Sequence, residues 1–221
     1  MAAQLGFRIE GFSLHLAGAE LVRLSAEIAP GEVLTVMGPS GAGKSSLLAA
    51  LIGALPPGFL ASGSVHLNGR EITLLPTEAR HIGILFQDPL LFPHLSVGGN
   101  LAFSLPATLR PAAARREKIE AALAEVGLPG FANRDPSTLS GGQRARVALQ
   151  RTLLAGPEAL LLDEPFSGLD LALRRQIRAL VFDQAKARGL PVILVTHDPE
   201  DAIAAGGRII SPLGELLGPL K

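Results

Sequence analysis

Cysteine is absent from the 221 residues. That removes disulfide frameworks, thiolate metal sites and cysteine nucleophiles together, and leaves the redox compartment open. No excess of either charge is present, with 20 Lys and Arg against 20 Asp and Glu. Without a global positive field, a general nucleic-acid coat is disfavoured. Charge is sparse altogether: 18% of residues are charged and 48% hydrophobic, with a mean hydropathy of +0.35, the reverse of a disordered chain. No membrane span is expected either. The two long stretches without acidic or basic residues, Ser45 to Gly69 and Pro89 to Leu109, are broken by Pro56, Pro57, Gly58 and Gly63 and by Pro93, Gly98, Gly99 and Asn100, which would strand backbone groups in lipid. Met1 to Glu10 lacks the basic segment, apolar run and small-residue site of a secretory leader, so a cytoplasmic chain is expected. At roughly 150 residues per domain, the length suggests one large domain or a core with a subdomain.

Between Leu5 and Ile28 short alternating apolar positions (Phe7, Ile9; Leu14, Leu16) are separated by small residues around Gly18, a pattern of antiparallel strands. Val33 to Met37, Ile82 to Phe86, Ala159 to Leu162 and Val192 to Thr196 are continuous apolar runs, as expected for strands buried on both faces. Helical patterns alternate with them, which predicts an α/β core with a mostly parallel sheet. Pro111 to Val126, stopped by Gly127, and Ser140 to Ala155 read as helices of an insert. The expected organisation is one domain: residues 1–87 and 158–221 form the core, and residues 88–157 a helical subdomain.

Gly38, Pro39, Ser40, Gly41, Ala42, Gly43, Lys44 and Ser45 fit G-x-x-x-x-G-K-[ST], after a buried strand and before a helical run from Ser46 to Ile52. Glycines let backbone N–H groups converge on phosphates, the helix N-terminus adds positive dipole, Lys44 supplies charge, and the Ser45 hydroxyl can join Mg²⁺. A Gly-rich turn with a surface lysine is the plainer alternative. Nucleotide kinases, GTPases and many ATPases share this loop, so other elements must choose.

Asp163 and Glu164 end a buried strand, where ligands gather in open α/β sheets. Asp163 suits Mg²⁺ and Glu164 a base or polariser of water, unless both are simply solvated. Ser140, Gly141, Gly142 and Gln143 open a helix as a second anion nest. It could grip the terminal phosphate of a nucleotide bound by another copy, or Ser140 could be an ordinary N-cap.

Together, Gly38 to Ser45, Leu139 to Gln143 and Leu160 to Pro165 make the chain resemble the ATP-binding cassette (ABC) ATPases over essentially its whole length, with Phe86-Gln87-Asp88, Ser167 to Asp170 and Thr196-His197-Asp198 matching three further family loops. The resemblance implies ATP and Mg²⁺ as ligands. It places Ser45, Gln87 and Asp163 on the metal, Ser46 and Asp170 at the nucleotide site and dimer interface, and Glu164, Gln87 and His197 around the attacking water. A lone His197 would read as a polar strand-end cap. Family members usually stack adenine on an upstream aromatic, commonly tyrosine; tyrosine and tryptophan are absent here. The matching position falls near His15 or Leu16, with Phe12 the nearest phenyl ring; His15 is the favoured substitute, a core-facing or solvent-facing side chain being the plainer alternative.

The segment from Gln87 to Val97 resembles the groove by which importer cassettes receive a permease helix. Leu90, Leu91, Phe92 and Leu95 are many apolar residues for a loop without a partner, partial burial within the helical insert being the alternative. The expected protein is an importer ATPase of the compact, thiamine-type kind. It would be peripheral on the inner face of the cell membrane, dimerise head to tail around two ATP, and work with a separate permease and an extracytoplasmic binding protein, without nucleic acid. The rival expectations are a non-transport mechanoprotein and a small-molecule kinase.

Overall fold

The computed structural model describes residues 5–218. In chain order the strands are β1 (Phe7–Leu16), β2 (Ala19–Ile28), β3 (Val33–Met37), β4 (Phe59–Leu67), β5 (Arg70–Glu71), β6 (Ile82–Leu85), β7 (Ala159–Asp163), β8 (Val192–Thr196) and β9 (Arg208–Ile210). The helices are α1 (Lys44–Leu51), α2 (Val97–Ser104), α3 (Ala112–Glu125), α4 (Gly141–Leu154), α5 (Leu171–Ala187) and α6 (Pro199–Ala205). The described chain forms two compact units: residues 5–84, 158–164 and 182–218, and residues 85–157 and 165–181.

In the first unit, four antiparallel strands are ordered β2-β1-β4-β5 and five further strands β6-β7-β8-β3-β9, with β3 parallel to β8 and β9, and β7 parallel to β8. The hydrophobic alternation of β1 slips once. Ile9 pairs with Ala26 but Phe12 with Leu24, so one extra residue returns Phe12 and Leu14 to the face already occupied by Phe7 and Ile9. Gly11, at φ 54°, absorbs this bulge; opposite it, a Cβ on Gly63 would come within 2.6 Å of the Gly11 carbonyl oxygen. The antiparallel sheet, α1 and the parallel sheet share one core, including Phe7, Leu14, Val36, Leu47, Leu161 and Val195.

Strands β3, β7 and β8 are buried nearly throughout, as their unbroken apolar runs predict. The fourth run differs. At the sheet edge, β6 is buried only at Gly83 and Leu85, and Phe86 is exposed, because an edge strand has a neighbour on one side alone. At the C-terminal end of α1, the buried Arg80 guanidinium donates to the carbonyl oxygens of Ala50 and Leu51, and also to those of Thr73 and Leu75. Burial lowers its pKa, and the negative end of the helix dipole favours the cation.

The second unit packs α2 against α3 and α4 around Val97, Leu101, Ile119, Leu123 and Val147. Asn100 is fully buried in α2 and fastens the preceding loop: its Oδ1 accepts from the Phe92 amide at 2.7 Å, and its Nδ2 donates to the Phe92 and Ser96 carbonyls at 3.1 and 3.0 Å. Among the described residues, no helix is long and apolar enough to cross a membrane.

Candidate functional site

The C-terminal ends of β3, β7 and β8 gather the charged groups of the first unit. After β3 the chain turns through Gly38 to Gly43 into α1. Gly43 has φ 82°, and a Cβ there would lie 2.9 Å from the Leu21 Cβ, so the loop needs glycine for both conformation and space. Lys44 is only 5% exposed. Its Nζ donates to the Gly38 and Pro39 carbonyl oxygens, both at 2.9 Å, which closes the loop around the ammonium. Ser40 and Gly41 at the loop's crest are exposed, and Ala42, Gly43 and Ser46 half-buried.

Ser45 Oγ donates to Asp163 Oδ1 at 2.9 Å. Burial, reinforced by the neighbouring Glu164 charge, raises the Asp163 pKa above the usual carboxylate range, against opposing contributions from the Ser45 hydrogen bond and the Lys44 ammonium. A hydroxyl and a carboxylate side by side are hard oxygen donors. Among the described residues no group of three or more His, Asp or Glu could hold a metal. That set fits Mg²⁺, which takes one or two protein oxygens and completes its shell with water and phosphate.

Glu164 follows β7 with φ 47°, a left-handed conformation unfavourable for a residue with a side chain. Its carboxylate spans two cations or potential cations: Oε1 lies 3.6 Å from Lys44 Nζ, and Oε2 lies 2.9 Å from His197 Nδ1. Residues distant in sequence thus meet in one cluster of Lys44, Ser45, Asp163, Glu164 and His197. His15 stands in the hairpin that packs on this loop, half-buried and 4.0 Å from Glu20 Oε1. Leu14 pairs with Val22 but His15 with Glu20, so Leu21 is bulged, and it is this residue that Gly43 accommodates.

The other expected residues lie in the second unit. Ser140 caps α4: its Oγ accepts from the Gln143 amide at 3.3 Å, and Gln143 Oε1 accepts from the Ser140 amide at 3.0 Å, a reciprocal capping box. Gly142 is buried where a Cβ would fall 2.4 Å from Leu173 Cδ1. Asp170 Oδ1 accepts from the Leu173 amide at 3.0 Å at the start of α5. Gln87 is exposed and lines a cavity of about 180 Å³ with Gly141, Arg144 and Ser167 to Leu169. In the 88–97 loop, Leu91, Phe92 and Leu95 are half-buried, while Leu90 remains 56% exposed. Arg151 donates to the Leu90 and Pro89 carbonyl oxygens, and Phe92 meets the exposed Phe103 edge-on at 5.0 Å.

A family model described as ABC transporter matches residues 21–167. The chain belongs to the ABC transporter family. This ABC ATPase is 51% identical over 197 residues to the uncharacterized ABC transporter ATP-binding protein YnjD of Escherichia coli (strain K12), covering 89% of the chain and 90% of the relative. It is 44% identical to the thiamine import ATP-binding protein ThiQ of Cereibacter sphaeroides, over 86% of the chain and 85% of the relative. It is 42% identical to the Fe(3+) ions import ATP-binding protein FbpC 1 of Rhizobium meliloti, over 85% of the chain and 52% of that longer relative. Among solved structures, cbiO1 of Clostridium perfringens, part of the ABC transporter complex cbiONQ, superposes with a TM-score of 0.82 at 28% identity, covering 97% of the chain and 87% of that structure.

In this ABC protein the charged cluster falls on residues of the sequence motifs, whereas most of its supports do not. Asn100 was detectable as the lone amide in an uncharged apolar stretch. Arg80, Leu173 and Asp201 belong to no sequence motif, and only their burial or contacts single them out; Thr196 lies in a family loop, but its contact with Asp201 does not show in the sequence.

Proposed function

We propose that the chain is the ATP-hydrolysing subunit of an importer, acting on a separate permease. The observation carrying this reading is the meeting of Lys44, Ser45, Asp163, Glu164 and His197 at the ends of three parallel strands. In this reading Gly38 to Gly43 and Ser46 turn backbone amides and the α1 dipole toward the phosphates. Lys44, held by two carbonyls, keeps one N–H for the β- and γ-phosphate oxygens. Ser45, Asp163 and Gln87 would hold Mg²⁺, which neutralises charge on the transferring phosphoryl group. Glu164 takes the proton of the attacking water, and His197 holds that carboxylate and the γ-phosphate in register. His15 stacks on the base. ATP loses its γ-phosphoryl group to water, giving ADP and phosphate.

Two copies would close head to tail, the Ser140 to Gln143 nest of one facing the phosphate loop of the other, with Asp170 at the shared interface. The 87–97 loop, with Leu90 and Phe103 outward, would receive the permease at the inner membrane face, and an extracytoplasmic binding protein would deliver the solute. The named cargoes of relatives at 40–44% identity are Fe(3+) ions, thiamine and sulfate/thiosulfate, which supports a shared motor whose solute is chosen by its partners.

Glu164→Gln tests the reading: hydrolysis should fall by at least about 100-fold, the range set by loss of a positioned base, while Mg–ATP drives the variant into a dimer measured by light scattering. Hydrolysis at the wild-type rate, or a monomer at saturating Mg–ATP, overturns it.

A further inference from the structure

His197 is 53% exposed at its side chain, so packing alone does not fix its ring. The residues beside it are fixed. Thr196 and Asp201 are each 1% exposed. The Thr196 hydroxyl donates to Asp201 Oδ2 at 3.4 Å and accepts from the Asp198 amide at 3.0 Å. Asp198 in turn caps α6, its Oδ1 accepting from the Glu200 amide at 2.7 Å. Thr196 ends a strand paired along its length with β3, and Asp201 lies in the first turn of α6, where the helix dipole favours a carboxylate.

We infer that Asp201 and Thr196 are positioning residues for hydrolysis, a buried carboxylate–hydroxyl pair that clamps the backbone on both sides of His197 and so aims its imidazole at Glu164. Thr196 and Asp201 desolvate a hydroxyl and a carboxylate where apolar side chains of similar volume, valine and leucine, would not. What the pair adds over apolar packing is direction. The hydroxyl bridges the last strand residue to the amide following His197, so that the backbone on both sides of the imidazole is held. The Nδ1 to Oε2 separation of 2.9 Å then depends on a contact made behind the site. This inference rests on the proposed role of His197 beside Glu164.

The experiment compares Thr196→Val, which keeps shape and removes the hydroxyl, with Thr196→Ser, which keeps the hydroxyl, and with Asp201→Asn. Each is made alone and with His197→Ala, and thermal melting and ATP affinity are measured alongside steady-state hydrolysis. Thr196→Val should lower kcat about tenfold with KM little changed, the scale expected of a sub-ångström misplacement. Thr196→Ser should recover most of that loss. With His197→Ala present, Thr196→Val should add no further loss, because partners in one pathway are not additive. Where hydrolysis in the His197→Ala background is too slow to follow, the ¹³Cε1 resonance of His197, assigned by its disappearance in His197→Ala, should shift in Thr196→Val and return in Thr196→Ser. If Thr196→Val does not fold, Asp201→Asn is judged by the same criteria. Wild-type kcat in a folded Thr196→Val, or an equal loss in both backgrounds, overturns the inference. Wild-type hydrolysis by His197→Ala itself overturns instead the role assigned to His197.

Discussion

Asp163 illustrates how a single carboxylate trades stability for chemistry. Burial and the Glu164 charge raise its pKa in the folded chain, so the native state holds its proton more tightly than the unfolded state does. For such an acid, stability is highest below the unfolded pKa and falls as pH rises through the folded one. The penalty is therefore greater at neutral pH than in acid. Asp163→Asn removes the charge while keeping an acceptor for Ser45, so its melting temperature should exceed that of the wild type by about 2 °C at pH 7, a modest figure because the site is partly solvated. The gain should fade as pH falls through about 3.9, the ordinary Asp pKa, because folded and unfolded carboxyls are then both taking up their protons. Hydrolysis should be lost at every pH. An Asn variant no more stable than the wild type at pH 7 would show that the Lys44 and Ser45 contacts outweigh burial.

At the scale of elements, polar residues that the sequence marks for chemistry also begin helices. Ser140 caps α4 and Asp170 accepts an amide at the start of α5, so the plain reading of Ser140 as a cap and the functional one describe the same placement. Gly142 joins these two helices. Alanine favours a helix by up to about 1 kcal/mol over glycine, yet a methyl at this position would meet Leu173 Cδ1 at 2.4 Å and Cγ at 3.0 Å. Gly142→Ala should therefore destabilise the protein by about 1 kcal/mol, the usual scale of overpacking, and Leu173→Ala added to it should restore the loss, as measured by urea denaturation. Equal stability of Gly142→Ala and the wild type would show that Leu173 rotates away freely. In α2, Asn100→Ala would leave the Phe92 amide and carbonyl without their side-chain partner, and should lower stability by about 2 kcal/mol.

The elements most legible in the sequence were those whose pattern is fixed by local geometry. Lys44, Asp163 and Glu164 announce themselves because a phosphate loop and a buried strand end constrain every neighbouring residue. The helices Ala112–Glu125 and Gly141–Leu154 lie within a residue of their expected ends. β4 was illegible: Leu60, Ala61, Ser62 and Gly63 are all exposed, and the segment is extended because β1 offers a long pairing edge, a tertiary cause that leaves no periodicity. The left-handed turn at Glu164 was hidden for a related reason, since its amide bonds to the Val195 carbonyl oxygen of another strand; the Thr196–Asp201 contact is local but follows no helix or strand periodicity.

For the whole molecule, the head-to-tail dimer makes a prediction that a self-sufficient nucleotide pocket does not. Lys44→Ala removes the cation of the phosphate loop, and Ser140→Ala removes the nest's serine; each homodimer then carries two damaged sites. In a mixed dimer the two lesions fall on the same site, because the phosphate loop of the Ser140→Ala copy faces the intact nest of the Lys44→Ala copy. Random pairing of equal amounts makes about half of the dimers mixed, each with one whole site of two, so hydrolysis should return to about a quarter of the wild-type rate if sites work independently. Two subunits that must fire together would yield less hydrolysis but should still trap one ATP per mixed dimer when both copies also carry Glu164→Gln. Activity that stays at the sum of the separate variants, with no trapped nucleotide, would mean that Lys44 and Ser140 serve the same site within one copy, and the head-to-tail dimer proposed for this ABC ATPase would lose its shared interface.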